Sequence, residues 1–106
     1  MGTKPILFIG GSRDDLREFP AAVRKALGEE LLRVQNGLMP VDFKPLKGVG
    51  EGVYEIRVPL NGAWRVICVA KFVNAIYVFH AFEKKTQKTN QGDMELAKRR
   101  YKLIGE

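Results

Sequence analysis

Residues 53–85 are mostly apolar, and short turn sequences divide this stretch into three segments. Short apolar runs between turn sequences are typical of β-strands, whose successive side chains point to opposite faces of the sheet. The segments read VYEIRVPL, AWRVICVAKF and AIYVFHAFEKK. Strands that follow one another through such short turns pair antiparallel, so the stretch predicts an antiparallel meander.

The Asn61-Gly62 turn decides which side chains of the first two strands share a face. A two-residue loop would pair Leu60 with Ala63. A three-residue loop would instead pair Pro59 with Ala63, and a slip of one residue moves every side chain to the other face of the sheet. The three-residue loop is favoured because it collects apolar residues on one face: Tyr54, Ile56, Val58, Trp64, Val66 and Cys68.

The opposite face of the meander gathers positive charge. The favoured register places Arg57 opposite Arg65, and the next turn places Phe82 opposite Arg65 and His80 opposite Ile67. Cations beside an aromatic ring suit a single-stranded nucleic acid, because phosphates bind the cations and a base can stack on the ring. The charged and aromatic members of this face are Arg57, Arg65, His80, Phe82 and Lys84.

The remaining elements follow from helical spacing and from capping residues. Ser12 and Asn90 are each expected to cap a helix, and Gly37 is expected to end one. The apolar residues of the last helix recur at helical spacing: Met94, Ala97, Tyr101 and Ile104. The expected elements outside the meander are a strand at 4–9, helices at 13–19 and 20–36, a short strand at 43–46 and a helix after residue 90.

This order of elements predicts an α+β fold, with a mostly antiparallel sheet, two N-terminal helices packed on one face, and a C-terminal helix. A chain of 106 residues can build one modest core, so residues 1–106 are expected to form a single domain. The charged face is also expected to carry apolar residues that the last helix or a partner must cover: Val53, Ile67, Val69, Ile76 and Val78.

Composition limits the partners and the compartment. The formal net charge is +6, and residues 84–102 hold seven cations and two anions, which suits nucleic acid, an acidic protein or a membrane surface. The single cysteine, Cys68, lies in an apolar strand and is interpreted as a core residue. No stretch approaches the roughly 20 apolar residues that cross a bilayer, so a cytoplasmic location without membrane contact is expected.

The side chains that the sequence offers for catalysis do not favour a metal-dependent reaction. One histidine, one cysteine and few clustered carboxylates make neither a metal site of recognisable spacing nor a Ser, His and acid constellation, so no metal or cofactor is expected. RNA can still be cleaved, because its 2′-hydroxyl is an internal nucleophile held beside its phosphate. Arginine forks bind phosphate oxygens and stabilise the charge that develops in the transition state.

Four segments carry a family resemblance: PLKG at 45–48, VYEIR at 53–57, WRV at 64–66 and HAFEKKTQKT at 80–89. Together they closely resemble the phage-derived HigB-like toxins of the RelE/ParE superfamily. The most specific piece is Phe-x-Lys-Lys-Thr after a strand, followed by a helix that contains Ala97 and Arg100. The resemblance implies a RelE/ParE-like fold and the toxin of a type II toxin–antitoxin pair, an endoribonuclease (mRNA interferase) that cleaves mRNA on the ribosome and so inhibits translation.

The resemblance also implies roles for the charged face. Arg65 matches the strand arginine at the scissile phosphate, and Lys84 and Lys85 match a basic segment that serves catalysis or RNA contacts. RelE has a tyrosine after its basic loop, whereas Tyr101 here lies on an apolar helix stripe, so the general base is left open between His80 and a lysine. The expected catalytic residues are Arg65, Lys84 and His80, and the expected RNA-binding residues are Arg57, Phe82, Lys85 and Lys88.

Several alternatives stay open. The chain could be a ParE-like gyrase inhibitor, or a non-enzymatic RNA-binding or phage accessory protein. Both arginines could form ion pairs with Glu55, and His80 and Phe82 could be structural. Arg65 is expected to lie at the open end of the face and to pack little. The expected partners are a helix-turn-helix, HigA-like antitoxin in a hetero-oligomer, the ribosome and mRNA.

Overall fold

The computed structural model describes residues 3–85 and 90–104. These residues form five strands and three helices. In chain order they are β1 (Ile6–Phe8), α1 (Ser12–Arg17), α2 (Ala21–Gln35), β2 (Phe43–Pro45), β3 (Val53–Pro59), β4 (Ala63–Val69), β5 (Ile76–Glu83) and α3 (Gln91–Lys102).

The five strands form one sheet in the order β1-β5-β4-β3-β2. Strand β1 pairs parallel with β5, whereas the other three pairs of neighbours are antiparallel. The predicted α+β fold and the antiparallel meander are therefore confirmed. The parallel edge pair makes the sheet mixed.

The hairpin between β3 and β4 has the predicted register. Pro59 pairs with Ala63, so the loop contains three residues. Asn61 and Gly62 both have positive φ angles, 51° and 142°. Glycine adopts such angles at little cost, and asparagine tolerates them better than most residues. The turn chemistry therefore fixes the face on which each side chain of the hairpin lies.

Helix α2 covers the predicted apolar face of the sheet. Its buried residues recur at helical spacing: Val23, Leu27, Leu31 and Val34. They form one cluster with Tyr54, Ile56, Val58, Trp64, Val66 and Cys68 from the sheet. The partly buried residues Leu16 and Phe19 pack against the same cluster. Complete burial raises the pKa of the Cys68 thiol to about 12, which agrees with a core residue and not a reactive thiol.

A β-bulge in β5 overturns part of the predicted face assignment. His80 pairs with Ile67, but the next pair is Val78 with Cys68, so Phe79 is an extra residue in the ladder. Alternation reverses across an extra residue. Ile76 and Val78 therefore pack under α2 and not on the charged face, where the sequence placed them.

Helix α3 covers much of the charged face. Its predicted apolar stripe is confirmed, because Met94, Ala97, Tyr101 and Ile104 pack in one cluster with sheet residues. The sheet residues of this second cluster include Val53, Ile67, Val69, Phe79 and Phe82. The bulged Phe79 thus fills space beneath the helix, and its ring lies 5.6 Å from that of Tyr101.

The two predicted helix caps have different outcomes. Asn90 caps α3 as expected, because its side chain accepts a hydrogen bond from the backbone of Gly92. Ser12 does not cap α1, whose first flanking residue is Gly11 and which has no side-chain cap. The buried Ser12 hydroxyl instead donates to the carbonyl oxygen of Val78 at 3.0 Å. Ser12 thus ties α1 to β5.

Candidate functional site

Two arginines and an aromatic residue form a row across three neighbouring strands. Arg57 on β3 pairs with Arg65 on β4, and Arg65 pairs with Phe82 on β5. His80 lies opposite Ile67 in the adjacent row. Paired residues on antiparallel strands have Cβ atoms about 4.5–5.5 Å apart, so these side chains are direct neighbours. The predicted register of the charged face is confirmed.

The structure buries Arg65, contrary to the expectation that it lies open. Arg65 is 7% exposed, and its Nε lies 3.6 Å from Oε1 of Glu55, which is 1% exposed. One of its terminal nitrogens donates to the carbonyl oxygen of Trp64 at 3.0 Å. Burial lowers the pKa of Arg65, Glu55 opposes that effect and Arg57 adds to it. A paired carboxylate is what makes a buried guanidinium tolerable.

Arg57 has a different environment from Arg65. Its side chain is 38% exposed, and Nε lies 3.9 Å from a carboxylate oxygen of Asp42. An exposed pair at that distance contributes little stability. Arg57 is therefore the arginine of the row that a phosphate reaches from solvent, while Arg65 lies beneath the surface.

His80 lies between two carboxylates. Its Nε2 is 2.6 Å from Oδ1 of Asp93, and its Nδ1 is 3.7 Å from Oδ2 of Asp15. The imidazole is stacked on the ring of Phe82, with centroids 4.9 Å apart. His80 is only 6% exposed, and its ring is held by the hydrogen bond to Asp93 and by stacking on Phe82, whereas its buried Nδ1 makes no hydrogen bond to any described residue.

A cavity of about 210 Å³ opens where β5 ends and α3 begins. The amide of Lys84 donates to the carbonyl oxygen of Ala63 at 2.6 Å, which holds the chain against β4 just past the last residue of β5. Lys85 is exposed, and its ammonium lies 3.8 Å from Glu83. The cavity is lined by Phe82, Glu83, Lys84, Lys85, Asn90 and Asp93. Its lining therefore contains two lysines, one aromatic residue and two acidic residues.

The structure brings together most of the predicted site residues. Phe82, Lys84 and Lys85 line the cavity, and His80 contacts it only through Asp93 and Phe82. Lys88 lies outside the described residues. Arg65 is the cross-strand neighbour of Phe82, but it is buried and is not among the residues that line the cavity.

Sequence reasoning missed the acidic residues of the site. Neither Asp93 nor Asp15 is among the site residues that the sequence predicts. Their signal in the sequence is weak, because exposed aspartates in a first helical turn are common. Arg100 was also missed as an anchor: it donates to the carbonyl oxygen of Phe79 at 2.8 Å and lies 3.7 Å from Asp15.

Residues 3–85 and 90–104 contain no group of three or more His, Cys, Asp or Glu side chains that could hold a metal ion. Within the same residues, no helix has both the length and the apolar character needed to cross a membrane.

The fold and the site together define a small α+β protein with a cavity, lined by two lysines, two acidic residues and an aromatic residue, where β5 ends and α3 begins. The chain belongs to the family described as phage derived protein Gp49-like (DUF891), whose model matches residues 14–102. The phage-derived character that the sequence motifs indicated is thereby confirmed at the level of this family.

A solved structure is similar to this chain, whereas no curated protein matches it. A solved chain in the toxin–antitoxin complex RelBE2 from Mycobacterium tuberculosis is similar at 19% identity with a TM-score of 0.49. That match covers 77% of this chain and 99% of the other.

Proposed function

We propose that this chain is the toxin of a type II toxin–antitoxin pair, of the HigB-like kind within the RelE/ParE superfamily. In this proposal it cleaves mRNA on the ribosome without a metal ion, and a HigA-like, helix-turn-helix antitoxin neutralises it. One observation carries the proposal: the arginine row across β3 and β4 ends at a solvent-open cavity that holds Phe82, Lys84 and Lys85. Membership in a phage-derived family supports it.

The cavity offers each of the groups that RNA cleavage requires. Lys84 and Lys85 provide positive charge for the scissile phosphate, and Phe82 lies where a base or sugar would rest against it. Arg57 can bind a neighbouring phosphate from solvent. The 2′-hydroxyl of the RNA supplies the nucleophile, so the protein needs only positioning, charge stabilisation and proton transfer.

Arg65 acts from below the cavity in this proposal. Arginine has five donor N–H groups, and its contacts with Glu55 and Trp64 leave donors in the planar fork for a phosphate. The hydrogen bond to the carbonyl oxygen of Trp64 and the nearby Glu55 carboxylate restrict the orientation of that fork. Preorganised donors of this kind stabilise developing charge without reorganising during the reaction.

Non-enzymatic RNA binding is the second candidate, and the burial of the assigned groups favours it. Arg65 is 7% exposed and His80 is 6% exposed, so two of the three expected catalytic side chains have little contact with solvent. Under this alternative the lysines and Arg57 bind RNA, and Arg65 and His80 only stabilise the fold.

Induced expression in bacteria distinguishes the candidates. We expect growth arrest with transcripts cut at defined positions, mapped by primer extension. The double variant Lys84→Ala/Lys85→Ala should leave transcripts intact. Lys25→Ala, which removes an exposed lysine on α2, should behave like the wild type.

Two other results would favour a different function for this chain. Intact transcripts with growth arrest and inhibited supercoiling would favour a gyrase inhibitor. Intact transcripts with RNA retained by the purified protein would favour the non-enzymatic candidate.

A further inference from the structure

Asp93 is the carboxylate that joins the cavity to the buried histidine. It lies in the first turn of α3, its side chain is 27% exposed, and it lines the cavity together with Lys84 and Lys85. Its Oδ1 is 2.6 Å from Nε2 of His80. A contact of this length is a short, charge-assisted hydrogen bond. One side of Asp93 therefore faces the cavity while the other is held by the imidazole.

His80 is positioned to hold Asp93 and not to meet a substrate. Its ring is buried against Phe82, and its second nitrogen faces Asp15 at 3.7 Å. Arg100 lies 3.7 Å from the same carboxylate oxygen of Asp15 and donates to the carbonyl oxygen of Phe79. Asp15, which Arg100 accompanies, is therefore an electrostatic neighbour of His80 and not a hydrogen-bond partner. The part of this network that reaches the cavity is the Asp93 carboxylate.

Glu83 is the other carboxylate at the cavity, and its position is less suited to proton transfer. Glu83 lies 3.8 Å from the ammonium of Lys85, and it follows Phe82 directly, so strand alternation turns its side chain towards the opposite face. The hydrogen bond to His80 orients the Asp93 carboxylate. Glu83 instead lies near the ammonium of Lys85.

We propose that Asp93 is the proton-accepting catalytic residue of the RNA cleavage and that His80 is its positioning residue. This inference rests on the proposed function. The Asp93 carboxylate takes the proton of the 2′-hydroxyl as the 2′-oxygen forms a bond to phosphorus. The bond from phosphorus to the 5′-oxygen breaks, and that oxygen takes a proton from the Lys84 ammonium. The products are a 2′,3′-cyclic phosphate and a 5′-hydroxyl, and a proton passes from Asp93 to Lys84 through solvent to restore both groups.

Cleavage of ribosome-bound mRNA by purified variants tests the assignment. Asp93→Asn keeps the size of the side chain but cannot accept the proton, so kcat should fall about 10²–10⁴-fold with little change in KM. Asp93→Glu should restore part of the rate because it restores a carboxylate. His80→Gln should lower kcat less than Asp93→Asn. Asp14→Asn, a matched change on the exposed side of α1, should leave kcat unchanged.

A nuclear magnetic resonance measurement reads the same contact without RNA. His80 is the only histidine in the sequence, so its ring signals need no assignment. The proton on Nε2 should resonate far downfield in the wild type and should lose that shift in Asp93→Asn. Melting curves identify any variant that fails to fold.

The outcomes separate this inference from the proposed function. Wild-type protein that leaves ribosome-bound mRNA intact overturns the proposed function and the role of Asp93 with it. Active wild type together with Asp93→Asn that cuts at the same rate overturns the role of Asp93 alone. An unshifted His80 ring proton in the wild type overturns the positioning role of His80.

Discussion

At the scale of single residues, the buried pair of Arg65 and Glu55 changes what substitution of Arg65 should do. Removing one member of a buried ion pair leaves the other charge desolvated, which typically costs roughly 3–5 kcal/mol. Removing an exposed arginine typically costs about 0–1 kcal/mol. The sequence could place Arg65 on the charged face from alternation, but not show that Glu55 would be buried beside it. The burial of Glu55 depends on how other elements pack over the sheet, which the strand register alone does not define.

We therefore expect Arg65→Ala to lower the free energy of unfolding by roughly 3–5 kcal/mol, because it breaks the buried ion pair with Glu55. Arg57→Ala should lower it by less than about 1 kcal/mol, because the pair with Asp42 is exposed. Urea unfolding followed by circular dichroism measures both. Equal stability of the two variants would show that the pair of Arg65 and Glu55 is not buried in solution.

At the scale of secondary structure elements, the sequence was most informative where polar and apolar residues alternate. The Asn61-Gly62 turn and the alternation beside it correctly predicted the register of β3 and β4. The run from Ala75 to Phe79 contains no charged residue that marks a face, so nothing in it indicates the bulge. With the bulge, Val78 packs in the cluster that contains the α2 residues and Phe79 packs in the cluster that contains the α3 residues.

The bulge also supplies a carbonyl group that anchors α3. Arg100 donates to the carbonyl oxygen of Phe79 at 2.8 Å, and its side chain is 15% exposed. Arg100→Met should lower the free energy of unfolding by roughly 1.5–3 kcal/mol, because it removes a charge-assisted hydrogen bond. Arg99→Met, on the exposed side of the same turn, should change it by less than about 0.5 kcal/mol. Urea unfolding of both proteins provides the comparison, and a stable Arg100→Met would contradict the anchoring role.

At the scale of the whole molecule, element order predicted the α+β fold. The mixed sheet was not predicted, because β1 and β5 are about 70 positions apart and no local pattern links strands that distant. The acidic half of the site was missed for a related reason. Asp15, His80 and Asp93 lie on three different elements and meet only after folding. The positive charge of residues 84–102, in contrast, is concentrated in one stretch and can be recognised in the sequence.

We propose that this cavity cleaves mRNA with help from the ribosome. The most direct measurement follows one labelled mRNA, free and bound to purified ribosomes, after addition of the purified protein. We expect defined cuts only on ribosomes, and about 10²–10³-fold slower cutting by Arg65→Ala at a temperature where it stays folded. Arg24→Ala, an exposed arginine on α2, should cut like the wild type. Intact mRNA on ribosomes with folded wild-type protein, or equal rates for wild type and folded Arg65→Ala, would contradict the account.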